Sequence, residues 1–283
     1  MNHRIIFYYQ TFTSLQPLLI KNTVVTHIHV SSIHFGYDND NDNKPYIHLN
    51  DDPPTANKFI DVWKQLEEAS KLGIKIILMV GGAGGAFSRL FSNFDIFYLL
   101  LMDTIRKYPF ICGIDLDVEE PVPLNNIKML ISKLDQDFGK EFIITMAPVA
   151  YALENNTPGM GGFLYNELYK SEEGQRIDYF NTQFYYDYSS DSYEKVINNG
   201  YPASKVVLGM TSSMDINNSK KIVAELSKKY PDFGGVFDWE YINAPPDGEK
   251  DPYQWAIEMN TSMTISNPSY LDMIINFLYS YYN

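Results

Sequence analysis

Gly113-Ile114-Asp115-Leu116-Asp117-Val118-Glu119-Glu120-Pro121 is the stretch that decides the fold and the chemistry of this chain. Side chains alternate along a strand. Ile114, Leu116 and Val118 therefore share one face, and Asp115, Asp117 and Glu119 share the other. In a parallel barrel strand the apolar face meets the helices, so the acids point inward. That placement is costly, because carboxylates are seldom buried unless paired and like charges at every second residue repel. An exposed antiparallel strand with one wet face would also alternate, but it fits poorly beside Ile111 and the patterning of the rest of the chain. Crowded carboxylates cannot all ionise, so the acids are expected to titrate as a coupled set that keeps a proton near neutrality. Glu119 lies nearest the strand's C-terminal end, and a protonated carboxyl there can donate to a departing glycosidic oxygen. Pro121 ends the strand. No second acid is obvious opposite Glu119 as a nucleophile.

Working outward, apolar runs predict strands near Ile5–Tyr9, Val24–Ile33, Ile74–Val80, Ile111–Glu119, Phe142–Ala147, Tyr179–Tyr185, Val206–Met210 and Gly235–Trp239. Helical spacing predicts helices over Phe59–Leu72, Phe87–Tyr108, Leu124–Phe138, Tyr193–Asn198, Ser219–Tyr230 and Tyr270–Tyr281. Eight strands alternating with helices imply parallel βα units, and so an α/β fold, a single (β/α)8 TIM barrel. No linker divides the chain, so residues 1–283 are expected to form one catalytic domain. Gly81-Gly82-Ala83-Gly84-Gly85 lacks the ending of a phosphate loop and the spacing of a dinucleotide fingerprint. Its backbone makes room for something close by. Asp38–Asn43 with Asn50–Pro54, then Asn155–Gly162, then Pro245–Trp255 read as long loops following strands two, five and eight. That is the face on which barrels build active sites.

The 283 residues are 45% hydrophobic and 15% aromatic, enough for a large core, and the formal net charge is −13. So acidic a chain lacks the basic footprint that nucleic acid requires, whereas a neutral sugar polymer is indifferent to the field. With Cys112 alone there is no intrachain disulfide and no cysteine-based zinc site. His27, His29, His34 and His48 are expected to be strand residues hydrogen-bonded inside the barrel or lying near a loop, without a metal. No cofactor is expected. Met1–Arg4 leads straight into a strand with no signal-peptide core, and no run of 18 apolar residues occurs. The expectation is a monomer away from membranes, either inside the cell or with its leader removed.

The acidic segment resembles the DxxDxDxE signature of glycoside hydrolase family 18, the chitinases and their relatives. Thr26–Val30 is similar to that family's second strand, and Lys75–Gly82 to its SxGG strand with Met79 where serine is usual. Thr145–Pro148 resembles its fifth strand, Asn181–Tyr185 its sixth, and Gly234–Trp239 its eighth, ending in tryptophan. With Glu-Glu-Pro after the acids and Ile47–Asp51 upstream, the chain most resembles compact fungal and bacterial members, without the insertion between strands seven and eight.

The resemblance implies a retaining reaction in which the substrate's own 2-acetamido oxygen attacks the anomeric carbon, which removes the need for a second carboxylate. It implies Glu119 as acid and then base. Asp117 would hold the acetamido N–H, Asp115 would share a proton or hydrogen bond with Asp117, and Tyr185 would bond the acetamido group. Trp239 would floor the reacting sugar, with Gln183, Met146, Gly81 and Gly82 completing the wall. The odd-numbered register of Asn181, Gln183 and Tyr185 agrees with an inward Tyr185, while Trp63 and Trp255 read as structural. The implied substrate is chitin or chito-oligosaccharide. Alternatives are the core of N-linked glycans, as for an endo-β-N-acetylglucosaminidase, or a sugar-binding barrel, although such members usually lose the glutamate retained here as Glu119. Cys112 stands at the first signature aspartate, off the parity of Asp115, and Val118 where many relatives have tryptophan. Met79 removes a hydroxyl near Asp115.

Overall fold

The computed structural model describes residues 3–38 and 42–265. Isoleucine, valine, leucine and aromatic residues dominate its parallel strands, as they must where both faces are covered. The elements run β1 (Arg4–Tyr9), β2 (His27–Asp38), β3 (Lys44–Leu49), α1 (Ile60–Lys71), β4 (Lys75–Gly81), α2 (Ala86–Ser92), α3 (Phe94–Lys107), β5 (Ile111–Asp117), α4 (Leu124–Phe138), β6 (Ile143–Met146), α5 (Ala150–Asn155), α6 (Tyr165–Tyr169), β7 (Tyr179–Gln183), α7 (Ser190–Asn198), β8 (Val206–Thr211), α8 (Ile216–Lys229), β9 (Gly235–Trp239) and α9 (Tyr253–Ile265). β1 pairs in parallel with both β2 and β9, and the ring continues through β8, β7, β6, β5 and β4 back to β2. The result is the expected eight-stranded parallel barrel.

Helices cover it with stripes at the i, i+3, i+4 spacing. α1 buries Val62, Trp63, Leu66 and Ala69, and α4 buries Ile127, Leu130, Ile131 and Leu134. These meet the outward residues of the strands, Ile114, Leu116 and Val118 among them, in one continuous apolar layer. The barrel's interior holds a separate cluster, Ile6, Tyr8, Met79, Tyr179, Val207 and Phe237, with Tyr185 and Trp239 packed on it. Trp63 donates to the Pro54 carbonyl at 2.7 Å and Trp255 is wholly buried, so both are structural, as expected.

Several boundaries differ from the sequence reading. β2 starts at His27 and runs on to Asp38, and β3 returns antiparallel to it, so this excursion is a hairpin for much of its length. Asn93 splits the helix expected over Phe87–Tyr108 into α2 and α3. The short α5 and α6 flank the loop after β6, and α9 begins within the segment read as the last loop. β5 ends at Asp117 and β7 at Gln183, so Glu119 and Tyr185 sit just past the ladder, where side chains face the mouth. The helix expected over Tyr270–Tyr281 lies outside the described residues.

Gly209 on β8 shows how tightly the interior is filled. A Cβ there would meet the Phe237 ring at 2.0 Å and the Thr182 carbonyl oxygen at 2.6 Å. Gly209→Ala is therefore expected to destabilise by about 1–3 kcal/mol through overpacking. The urea midpoint should fall with the slope of the transition unchanged.

Candidate active site

Asp115 is wholly buried on the barrel's interior face. Its Oδ1 accepts from the Thr145 hydroxyl on β6 at 2.5 Å and from Asn181 Nδ2 on β7 at 3.2 Å. Its Oδ2 accepts from the Tyr8 hydroxyl on β1 at 2.7 Å, and His29 Nδ1 on β2 stands 3.3 Å away. Burial pushes this carboxyl up, but the His29 charge and the donors outweigh it and hold Asp115 below its ordinary value. Burial and the neighbouring carboxylates hold the Tyr8 hydroxyl well above its ordinary value, so it remains a donor.

One step nearer the mouth the balance reverses. Asp117 receives Gln183 Nε2 at 3.3 Å, and burial, then the charges of Glu119, Asp115 and Glu120, drive its carboxyl well above the usual range. Glu119 is half-buried. Burial and the nearby Glu120 raise it against the opposing effect of Gln183. Proton affinity thus climbs abruptly from the anionic Asp115 to the two carboxyls above it. Glu120 does a different job: its Oε1 accepts from the backbone N–H groups of Phe87 at 2.5 Å and Ser88 at 3.0 Å, tying the end of β5 to the start of α2.

The glycine segment after β4 makes room for Asp117. Gly82 donates its backbone N–H to the Asp117 carbonyl at 2.9 Å. Gly81 has φ +100°, and a Cβ on it would meet that same carbonyl oxygen at 2.2 Å. Only glycine meets both demands. A cleft of about 990 Å³ opens beside them, reaching from Trp239 past Met79, Gly82 and Ser32 to Tyr46 and His48 on β3. Trp239 packs against Tyr8 with ring centroids 5.4 Å apart, and Tyr185 meets Phe237 at 6.2 Å. Asp115, Asp117, Glu119, Gln183, Tyr185, Trp239, Gly81 and Gly82 are therefore brought together.

Met146 is not. It pairs in register with Leu116 and Phe180 and is fully buried with them in the outer layer, while its neighbour Thr145 faces Asp115. The expectation that Met146 lines the sugar site is corrected by its parity. Cys112 is the extra residue of a bulge between β4 and β5, its Sγ 3.6 Å from the Ile76 carbonyl, and burial raises its thiol away from reactivity. His27 and His29 are held inside the barrel by Thr26 and Tyr179, as expected. The approach of His29 to Asp115 was not foreseen, nor were Tyr8 and Thr145 as its donors. Their inward parity was the available signal.

The family model for glycosyl hydrolases family 18 matches residues 4–271. The chain belongs to glycosyl hydrolase family 18. Two solved structures of that family are similar over nearly the whole chain. One is a fungal endo-β-N-acetylglucosaminidase, 32% identical with TM-score 0.83, covering 92% of this chain and 97% of that one. The other is the chitinase ChiC from Aspergillus fumigatus, 33% identical with TM-score 0.79, covering 92% and 99%. A family 18 chitinase from Pseudoalteromonas aurantia, at 16% identity, TM-score 0.70 and 92% and 99% coverage, shares the fold. A comparison with curated proteins finds no match. This family 18 member is a chitinase-like glycoside hydrolase.

The Asp115 network makes a signed prediction. Its folded value lies below the unfolded one, so its stabilisation is present above the unfolded value of about 3.9 and is lost as pH falls through the folded value. Tyr8→Phe removes a hydrogen bond to a charged acceptor and should cost roughly 1.5–3 kcal/mol at neutral pH. In denaturant melts the gap to wild type should narrow as Asp115 takes up its proton; a constant gap at every pH would contradict an anionic Asp115.

Proposed function

We propose that the enzyme hydrolyses β-1,4 linkages between N-acetylglucosamine units, with retention, using the substrate's 2-acetamido group as the nucleophile. The observation that carries this is the build of one strand end: a wholly buried Asp115 ringed by donors, with Asp117 and then the half-buried Glu119 above it toward the mouth, both pushed above the ordinary carboxyl values while Asp115 is held below its own. Glu119 donates its proton to the departing glycosidic oxygen and, once ionised, activates the water that opens the oxazolinium intermediate. Asp117 holds the acetamido N–H and offsets the positive charge that develops, drawing on the negative charge of Asp115 below it. Tyr185 bonds the acetamido group, and Trp239 offers an apolar face to the sugar ring.

Other carboxylates near the mouth have separate tasks, which agrees with a nucleophile supplied by the substrate. Glu120 holds the start of α2, and Glu240 accepts the backbone N–H groups of Gln10 at 2.8 Å and Thr11 at 3.0 Å. Asp238 lies between inward-facing Phe237 and Trp239 and bonds Ser212 at 2.7 Å, away from the acids.

Chitin or its oligosaccharides are the substrate we favour. The fungal endo-β-N-acetylglucosaminidase likeness supports a second reading, the same bond in the core of N-linked glycans. Soluble chitin and an N-glycosylated glycoprotein, assayed side by side, separate the two, and activity on the glycoprotein alone would replace our preference. Glu119→Gln is expected to lower kcat by at least about a hundredfold with the fold intact by circular dichroism; unchanged turnover refutes the assignment.

The pH profile should be bell-shaped. A general acid must be protonated, so activity falls on the basic side as pH rises through the raised value of Glu119, above the ordinary glutamate value. On the acid side it falls as Asp115 loses its charge, below the ordinary aspartate value. A basic limb at or below the ordinary glutamate value would count against Glu119 as the donor.

A further inference from the structure

Asp115 needs more than dipoles. Tyr8, Thr145 and Asn181 reach it with neutral donors, and Met79, level with it on β4, offers a thioether that instead accepts from the Ser31 hydroxyl at 3.0 Å. A fully buried carboxylate with only neutral partners bears a heavy desolvation cost. Among the described residues touching it, His29 is the side chain able to bring positive charge.

We infer that His29 is the countercharge of Asp115, a positioning residue that keeps the negative charge low in the barrel so that the catalytic proton stays on the carboxyls above. The inference rests on the proposed function for its catalytic consequence, but not for the pairing itself. Both side chains are fully buried, and Nδ1 lies 3.3 Å from Oδ2. That approach is not aligned as a hydrogen bond, so its effect on Asp115 runs chiefly through charge. The opposite ring nitrogen, Nε2, faces the Tyr179 hydroxyl at 3.3 Å. Each ring nitrogen thus has an oxygen before it, the environment that suits a ring protonated on both sides.

The surroundings are consistent with that charge. β1 brings the Tyr8 ring to 4.9 Å and β7 brings Tyr179, both neutral phenols. β4 pairs Ile77 beside it, and β5 supplies Asp115 with Asp117 above. The opposing cation is farther down: Arg4, stacked 4.2 Å from the centre of the Tyr179 ring; His27, on the same strand, is kept neutral by its burial. The acids of β5 lie on the near side of His29 and the Arg4 cation on its far side, across Tyr179.

The test compares wild type with His29→Asn, which keeps a neutral N–H near the Nδ1 position, and with His29→Leu. If charge is the agent, the acid limb of kcat/KM on a chromogenic chitobioside moves up by roughly one pH unit in both variants, with KM little changed. An acid limb in His29→Asn identical to wild type overturns the countercharge, since a neutral donor would then suffice. Should either variant fail to fold, or should wild type cleave no N-acetylglucosamine substrate, the pairing is read directly in wild type. Nitrogen-15 NMR of histidine-labelled enzyme at about pH 6 should find both ring nitrogens of His29 protonated. One unprotonated ring nitrogen there overturns the inference, whatever the enzyme's substrate.

Discussion

A charge held at the axis of a closed barrel is the constraint around which this molecule is organised. Asp115 has no water to turn to, so the fold must surround it with donors. Its partners come from β1, β2, β6 and β7, elements far apart in sequence that the curved sheet gathers around β5. Losing any of these strands would leave the carboxylate short of a partner, at the cost of a poorly paired buried charge. Curving the sheet and constructing the site are therefore one event viewed from two sides.

Toward the mouth the balance of burial and donors changes. Burial raises both carboxyls above it, and neighbouring carboxylates add to the effect: Glu119, Asp115 and Glu120 for Asp117, and Glu120 for Glu119. Position along the strand then divides the labour. Asp117 is almost fully buried and answers mainly to its neighbours, whereas the half-buried Glu119 exchanges with solvent. Gly81 and Gly82 keep the loop beside Asp117 free of side chains, and Glu120, although adjacent to Glu119, is spent on anchoring α2. Three acids within three successive inward or terminal positions thus have three different environments, and chemistry that needs one donor and one anion can use them.

Much of this was legible in the sequence because alternation is a strict rule. It aimed the acids inward, placed Gln183 and Tyr185 with them, and gave the eight barrel strands. Motif likeness points Met146 to the sugar wall, but alternation puts it on the opposite face from Thr145 and turns it toward the helices. The hairpin strand β3 was hidden because Lys44 and Pro45 open it with residues typical of loops or edge strands. α5 and α6, at 6 and 5 residues, are too short to show a helical period. His29 was harder still. Its partner is 86 positions away in sequence, and only the sheet order, with β4 between β2 and β5, brings the two together.

Cys112 occupies a position that fixes the register of β5. Ile76 pairs with Ile111 and Ile77 with Gly113, so Cys112 is left over as the bulged residue. The next inward position must then be glycine, because a Cβ at Gly113 would strike Ile77 Cδ1 at 2.5 Å and the Ile143 carbonyl oxygen at 2.6 Å. A slip of one residue would drive a leucine into that gap's successor and turn every acid outward. Bulge and glycine together pin the register two residues below Asp115, and so fix which face of the strand the chemistry occupies.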